Sequence, residues 1–205
     1  MNDSLFAPPP AGAIVLLGGD DVSEWVLRKD GRPCDWTVEE GVMTVRPGSG
    51  DIQTKRRFTD FELHLQFRLP NMPDKTGQAR GNSGLYLHGL YEIQILDTWE
   101  NETYPMGVCG ALYNQAAPLL NASTPPETWQ VYQVRFRAPK FDADGKRITD
   151  GSVTIDQNGK RIHDGTPITE PTGGHLSHSP SEPGPILLQD HGDQVSFRNI
   201  WIREL

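Results

Sequence analysis

Glu92, Gln94 and Asp97 stand in the order E-x-Q-x-x-D within the run GNSGLYLHGLYEIQILD at residues 81–97. Two acidic groups around an amide suit carbohydrate chemistry. One carboxyl group takes or gives a proton while the amide holds sugar hydroxyls. Strand alternation puts Glu92 and Gln94 on one sheet face and Tyr91, Ile93 and Ile95 on the other. Apolar burial accounts for the second face, but stability alone does not ask for a carboxylate and an amide side by side in mid-strand. Asp97 lies an odd number of residues from Glu92, so it shares that face only if a β-bulge intervenes. Without one it is a strand-end turn residue. The competing reading of Glu92 is an exposed strand glutamate, the usual fate of that residue type.

A second constellation is Gln189-Asp190-His191. A histidine beside an aspartate at a strand end can be an acid or base tuned near neutral pH. It can equally be a turn in which Asp190 caps backbone amides and His191 is solvated. Asn82-Ser83-Gly84 is a compact polar turn entering a strand. Trp99, Tyr104, Tyr113 and Trp129 fall in or beside a long irregular region, where aromatic rings can stack on the C–H faces of sugars or simply cover the edge of a core. His175 and His178 sit in a Gly/Ser/Pro loop whose spacing is not diagnostic of a metal site.

The elements that must position these groups read as β-strands. The chain has 205 residues, with 21 glycines and 17 prolines but no low-complexity tract, which implies many turns between short strands. Residues 61–69 alternate apolar and polar without a break, the pattern of a half-buried antiparallel strand. Residues 85–87 and 91–96 read as strands joined through His88-Gly89-Leu90, and residues 36–45 as a hairpin turning at Glu40-Gly41. Residues 129–138 alternate again. Asn158-Gly159, between 152–157 and 160–163, is the strongest short hairpin signal. Strands at 186–189 and 195–202 close the chain, and no window carries a helical period. About a dozen short strands must bury their apolar faces against each other, so the expected fold is all-β: a two-sheet antiparallel sandwich of jelly-roll type with few short helices. A mobile arm is expected over residues 1–12, around Pro8-Pro9-Pro10, ahead of a single domain over 13–205.

Bulk properties narrow the function. A net charge of -8 without a Lys/Arg cluster argues against a nucleic-acid partner. No apolar stretch reaches the ~20 residues of a membrane span, and residues 13–17 are too short for a signal-peptide core. Cys34 and Cys109 are too few for a disulfide framework or a zinc cluster, so they read as unpaired, packed thiols.

Three separated runs then carry a resemblance: GNSGLYLHGLYEIQILD; GALYNQAAPLLNAS with PPETWQVYQVRFRAP; and GPILLQDHGDQVSFRNIWIREL. In this order they resemble the 3-keto-disaccharide hydrolase family over residues 16–205, a family long catalogued as a domain of unknown function. The resemblance implies a concanavalin-like jelly roll and a bacterial enzyme of the periplasm or cell surface. It also implies a small carbohydrate substrate already oxidised at C3. A C3 ketone acidifies the C2 hydrogen, so a base can form an enolate that expels the C1 oxygen, after which water adds to the enone. On this reading Glu92 is the base and His191 or Asp97 the proton donor. Asn82, Gln94, Tyr113, Trp129, Gln189, Asp190 and Arg198 hold the substrate. The resemblance fixes no cofactor with certainty, and a divalent cation stabilising the enolate stays open. Two alternatives stand beside it: a non-catalytic sugar-binding module of the same fold, and a conventional glycoside hydrolase with paired carboxylates.

Overall fold

A computed structural model describes residue 6 and residues 8–205. The arm expected over 1–12 falls partly on residues 1–5 and 7, outside the described residues. Fifteen strands carry the fold. The larger sheet contains β1 (Ile14–Leu17), β3 (Thr37–Glu39), β4 (Val42–Thr44), β6 (Phe61–Arg68), β9 (Trp129–Arg137), β12 (Gly151–Gln157), β13 (Lys160–Ile168) and β15 (Ser196–Glu204). Its order is β13-β12-β9-β6-β15-β4-β3, with β1 pairing the far part of β15. The smaller sheet runs β2 (Trp25–Leu27), β5 (Ile52–Thr54), β14 (Leu187–Leu188), β7 (Asn82–Leu87) and β8 (Tyr91–Leu96). A separate ribbon joins β10 (Lys140–Phe141) to β11 (Arg147–Thr149). Helical structure among the described elements is limited to short 3-10 turns at Gly77–Ala79 and Pro105–Gly107. The expected antiparallel sandwich is the architecture found.

The two sheets enclose one core. From the larger sheet, Phe61, Leu63, Leu65 and Phe67 of β6 alternate inward and meet Val134 and Phe136 of β9. From the smaller sheet come Leu85, Leu87, Tyr91, Ile93 and Ile95. The hairpin signals hold. Glu40 and Gly41 both take positive φ, as do Asn158 and Gly159, the conformation of primed two-residue turns. β13 runs beyond residue 163 because a register irregularity opposite β12, with Gly165 at positive φ, absorbs the bend.

β7 and β8 differ from ordinary half-exposed strands in one respect: every residue of both is buried. Their second face is covered by three segments, the turn at residues 77–79, the stretch 104–113 and a strap at 172–176. The polar side chains of that face are therefore enclosed.

Candidate functional site

The outer face of the smaller sheet is ordered by register. Glu92 faces Tyr86 across the β7–β8 hairpin, and the row continues through Leu187, Gln53 and Val26. The adjacent row begins with Gln94 opposite Gly84. It continues to Gln189, whose N–H donates to the Gly84 carbonyl at 3.0 Å, and ends where the Arg28 N–H donates to the Asp51 carbonyl at 2.8 Å. The first row crosses all five strands and the second continues just past the ends of β14, β5 and β2, so groups distant in sequence meet at Glu92.

Glu92 is only 4% exposed. The Tyr86 hydroxyl donates to its Oε2 at 2.9 Å and also reaches the Gly173 carbonyl at 3.0 Å. Oε1 has no hydrogen bond among the described residues, yet it is not one of the sealed unpartnered atoms, so it keeps its contact with solvent. It hangs over Gly84: a methyl group there would sit 2.5 Å from Oε1. Burial pushes the Glu92 carboxyl up to about 7; the Tyr86 hydrogen bond pulls the other way, and the Asp51 charge adds to the rise. The result is a carboxyl group that exchanges a proton near neutrality. Burial and the neighbouring Glu92 charge raise the Tyr86 hydroxyl far above its ordinary range, so it stays a donor.

Around this carboxyl the other groups fall into place. Gln94 Nε2 donates to Gln78 Oε1 at 3.0 Å, Asn82 Nδ2 donates to the Gln78 carbonyl at 2.8 Å, and Gln78 Nε2 reaches Thr103 and the Gly107 carbonyl. Gln78 thus locks both amides to the covering loops. Tyr113 N–H donates to the Glu92 carbonyl at 3.0 Å, and its phenol oxygen accepts from Tyr104 at 2.6 Å. Burial, with Tyr113 and Glu92 beside it, raises the Tyr104 phenol to about 12. The Gln189 side chain makes no hydrogen bond among the described residues, and its Oε1 is buried without a partner. The strap is fixed by Arg28, which bridges Asp51 at 2.9 Å and the carbonyls of Gly174 and His175 at 2.7 and 2.8 Å. The Glu92 N–H donates to Thr172 Oγ1 at 3.1 Å.

His191 and Asp190 sit on a loop sewn to the start of β7. Asn82 N–H donates to Asp193, and Ser83 Oγ donates to the Gln189 carbonyl. His191 is exposed. Asp190 accepts from the N–H groups of Gly50 and Gly192 at 2.9 and 3.0 Å, so it serves as a turn cap rather than an orienter of His191.

Three expected members lie elsewhere. The β7–β8 register is regular from Asn82–Leu96 to Leu87–Tyr91, so no bulge turns Asp97 toward Glu92. Asp97 instead pairs with Arg80 at 2.9 Å, almost wholly buried, and caps the Trp99 N–H. Trp129 and Arg198 are on the outer face of the larger sheet, across the sandwich from Glu92. Arg198 stacks 4.0 Å from the Trp129 ring centroid and donates to Gln66 at 2.8 Å. Arg28, Asp51, Gln78 and Tyr86 were not singled out by sequence reasoning. Of these only Tyr86 had a signal, because a hairpin through His88-Gly89-Leu90 sets it opposite Glu92.

Among the described residues no three His, Cys, Asp or Glu side chains gather into a cation cradle. Asp51, the carboxylate that bears on Glu92, is already engaged by Arg28. A divalent cation does not fit this donor set, and no step is derived through one. No helix of the described residues is long and apolar enough to cross a membrane.

Comparison with known proteins agrees with this architecture. A family model described as a 3-keto-alpha-glucoside-1,2-lyase-like domain matches residues 12–203. A crystal structure from Parabacteroides distasonis, provisionally named a glycosyl hydrolase, is 42% identical with a TM-score of 0.89, covering 97% of this chain and 86% of that one. A second from the same organism, with the same provisional name, is 20% identical with a TM-score of 0.65 over 95% and 94% of the two chains, and it shows the fold alone. No curated protein matches the chain.

Proposed function

The chain belongs to the 3-keto-alpha-glucoside-1,2-lyase-like family and is a carbohydrate-active protein; from that premise we propose that it cleaves the glycosidic bond of a 3-keto-glycoside or 3-keto-disaccharide by elimination and hydration. The observation that carries this reading is the state of Glu92. It is a buried carboxyl poised near neutral pH, with one oxygen held by Tyr86 and the other left open.

In the proposed mechanism Glu92 Oε1 takes the C2 proton, and the C–H electron pair becomes the C2–C3 double bond of the enolate. Collapse of the enolate expels the C1 oxygen, which takes a proton from His191. Water then adds to the enone: its hydroxyl joins C1, its proton goes back to His191, and Glu92 returns the proton it took to C2. The sum is hydrolysis, reached without an oxocarbenium ion. The Tyr86 O–H steadies Glu92 while it is ionised and fixes its aim. The Gln189 Nε2, which has no hydrogen bond among the described residues, donates to a sugar hydroxyl, and Gln94 and Asn82, pre-set by Gln78, shape the same wall. The strap excludes water from the enolate. An exported protein, periplasmic or at the cell surface, belongs to the same reading.

The deciding assay compares a glucoside with its 3-keto form. Turnover of the 3-keto form alone, abolished in Glu92→Gln with the fold retained, is expected. Turnover of the unoxidised glucoside alone would defeat the proposal, and near-normal turnover by Glu92→Gln would remove that residue from the mechanism.

A further inference from the structure

The outer face of the larger sheet carries a feature the proposed reaction does not use. One register row crosses it as Thr37, Thr44, Ser196, Arg68 and Trp129, contributed by β3, β4, β15, β6 and β9. Ion pairs among the described residues engage every arginine except Arg57, Arg68 and Arg198. Arg57 reaches a backbone carbonyl instead. Arg68 and Arg198 stand together: their guanidinium carbons lie 4.9 and 4.0 Å from the centroid of the same Trp129 ring. Stacking on an indole accounts for the placement of one guanidinium. It does not account for two like charges on one ring, and burial, with Arg68 nearby, lowers the Arg198 guanidinium from its ordinary value. In a chain of net charge -8, two arginines on one indole with no ion pair among the described residues suit an external anion.

Beside Arg68 opens a cavity of about 470 Å³ whose lining includes Thr37, Thr44, Ser196, Gln194 and Arg46. That volume lies in the range of small-ligand pockets. The Thr44 and Ser196 hydroxyls bond each other at 2.9 Å, and together with the Gln194 amide they offer both donors and acceptors. Glu127 also borders the cavity but forms no ion pair with either arginine among the described residues. Hydroxyl and amide groups beside the Arg68 guanidinium in one cavity, with Arg198 sharing the Trp129 ring just outside it, match a sugar ring bearing a carboxylate.

We propose that this face is a second, non-catalytic site for an acidic saccharide, a uronic-acid residue whose carboxylate Arg68 takes, with Arg198 adding positive potential from the same indole, while the Thr37–Thr44–Ser196 row takes the hydroxyls. It stands across the sandwich from Glu92, so it serves to hold an acidic glycan near the enzyme rather than to process it. The test is a ligand-observed NMR titration with glucuronate at fixed ionic strength, with glucose and inorganic phosphate as comparison ligands. Saturable binding of glucuronate is expected, with glucose and phosphate at least about tenfold weaker. Arg68→Gln should weaken binding about tenfold or more and Arg198→Gln severalfold, while Glu92→Gln should leave it unchanged. Thr44→Val leaves both arginines in place and should weaken it severalfold, which keeps the test decisive if an arginine variant misfolds. Absence of saturable binding, binding indifferent to both arginines, loss in Glu92→Gln, or phosphate binding as tightly as glucuronate would each overturn the assignment.

Discussion

Gly84→Ala tests the role of Glu92 without touching its chemistry. Gly84 sits in extended backbone, outside the positive-φ positions, so alanine has no conformational objection there. The added methyl would lie 2.5 Å from Glu92 Oε1, 3.1 Å from the Tyr86 ring and 3.2 Å from Glu92 Cδ. Relief to an ordinary contact of about 3.5 Å moves the carboxylate by about 1 Å. The 2.9 Å bond from Tyr86 stretches or breaks with it. A misplacement of that size costs roughly 10²-fold in rate, or about 2.7 kcal/mol of barrier. The stability cost is much smaller. Overpacking costs about 1–3 kcal/mol when backbone must yield, but here the obstacle is the free end of a side chain. Restricting the unfolded chain returns about 0.4–1 kcal/mol. The expected outcome is kcat/KM on a 3-keto-glucoside down about a hundredfold at nearly unchanged Tm. Losing the Tyr86 bond also removes the influence that lowers the Glu92 carboxyl, so the rising limb of the pH–rate profile moves to higher pH. Wild-type kcat/KM with an unshifted limb would refute the reasoning that Glu92, held in this position, is the base.

Glu92 should also mark itself in stability. Its carboxyl is raised from 4.5 to about 7 in the folded state, so the native protein binds the extra proton between those values. Stability therefore falls as pH rises through that window, by about 3 kcal/mol in all. Urea unfolding should find Glu92→Gln more stable than wild type at pH 8 and nearly equal at pH 4. Asp97→Ala should cost about 1–3 kcal/mol by removing the carboxylate from the partly buried Arg80, which keeps its bond to the Trp99 carbonyl, while kcat per folded molecule stays close to wild type. Cys109 is fully buried and Cys34 only partly so. A thiol reagent should accordingly reach at most Cys34 in the native protein and both cysteines in denaturant.

The strand pattern and turn chemistry of this chain were open to reading because they are local. Glu40-Gly41, Asn158-Gly159 and the alternation of residues 61–69 declare their conformation within a few residues. The same alternation already separated Asp97 from Glu92, and the regular register upholds that separation. Trp129 and Arg198 are a different matter. Alternation assigns each a face, but which sheet a strand joins depends on pairings across the whole chain, and theirs is the larger one. Arg28, Asp51 and Gln189 come from strands or strand ends far apart in sequence, and only the row joining β2, β5, β14 and β7 brings them to Glu92. Gln78 escaped notice because its role is to bond amides from a loop with no period of its own. Which loop would cover the site was equally hidden, since the strap at 172–176 has no apolar pattern to announce it.

Between Thr172, whose hydroxyl accepts from the Glu92 N–H, and Leu176, the strap is bound through its backbone. Arg28 and Tyr86 grip the carbonyls of Gly173, Gly174 and His175, groups that every residue type supplies. Gly174 is constrained by positive φ and by the Tyr86 hydroxyl 3.1 Å from where a Cβ would stand, whereas a Cβ at Gly173 meets nothing within 4 Å. The latch is thus indifferent to most side chains it closes on. Substitutions at residues 173 and 175 can remodel the wall over Glu92 while the row beneath keeps its geometry. Such an arrangement lets the cover of the pocket vary without disturbing the carboxyl it encloses.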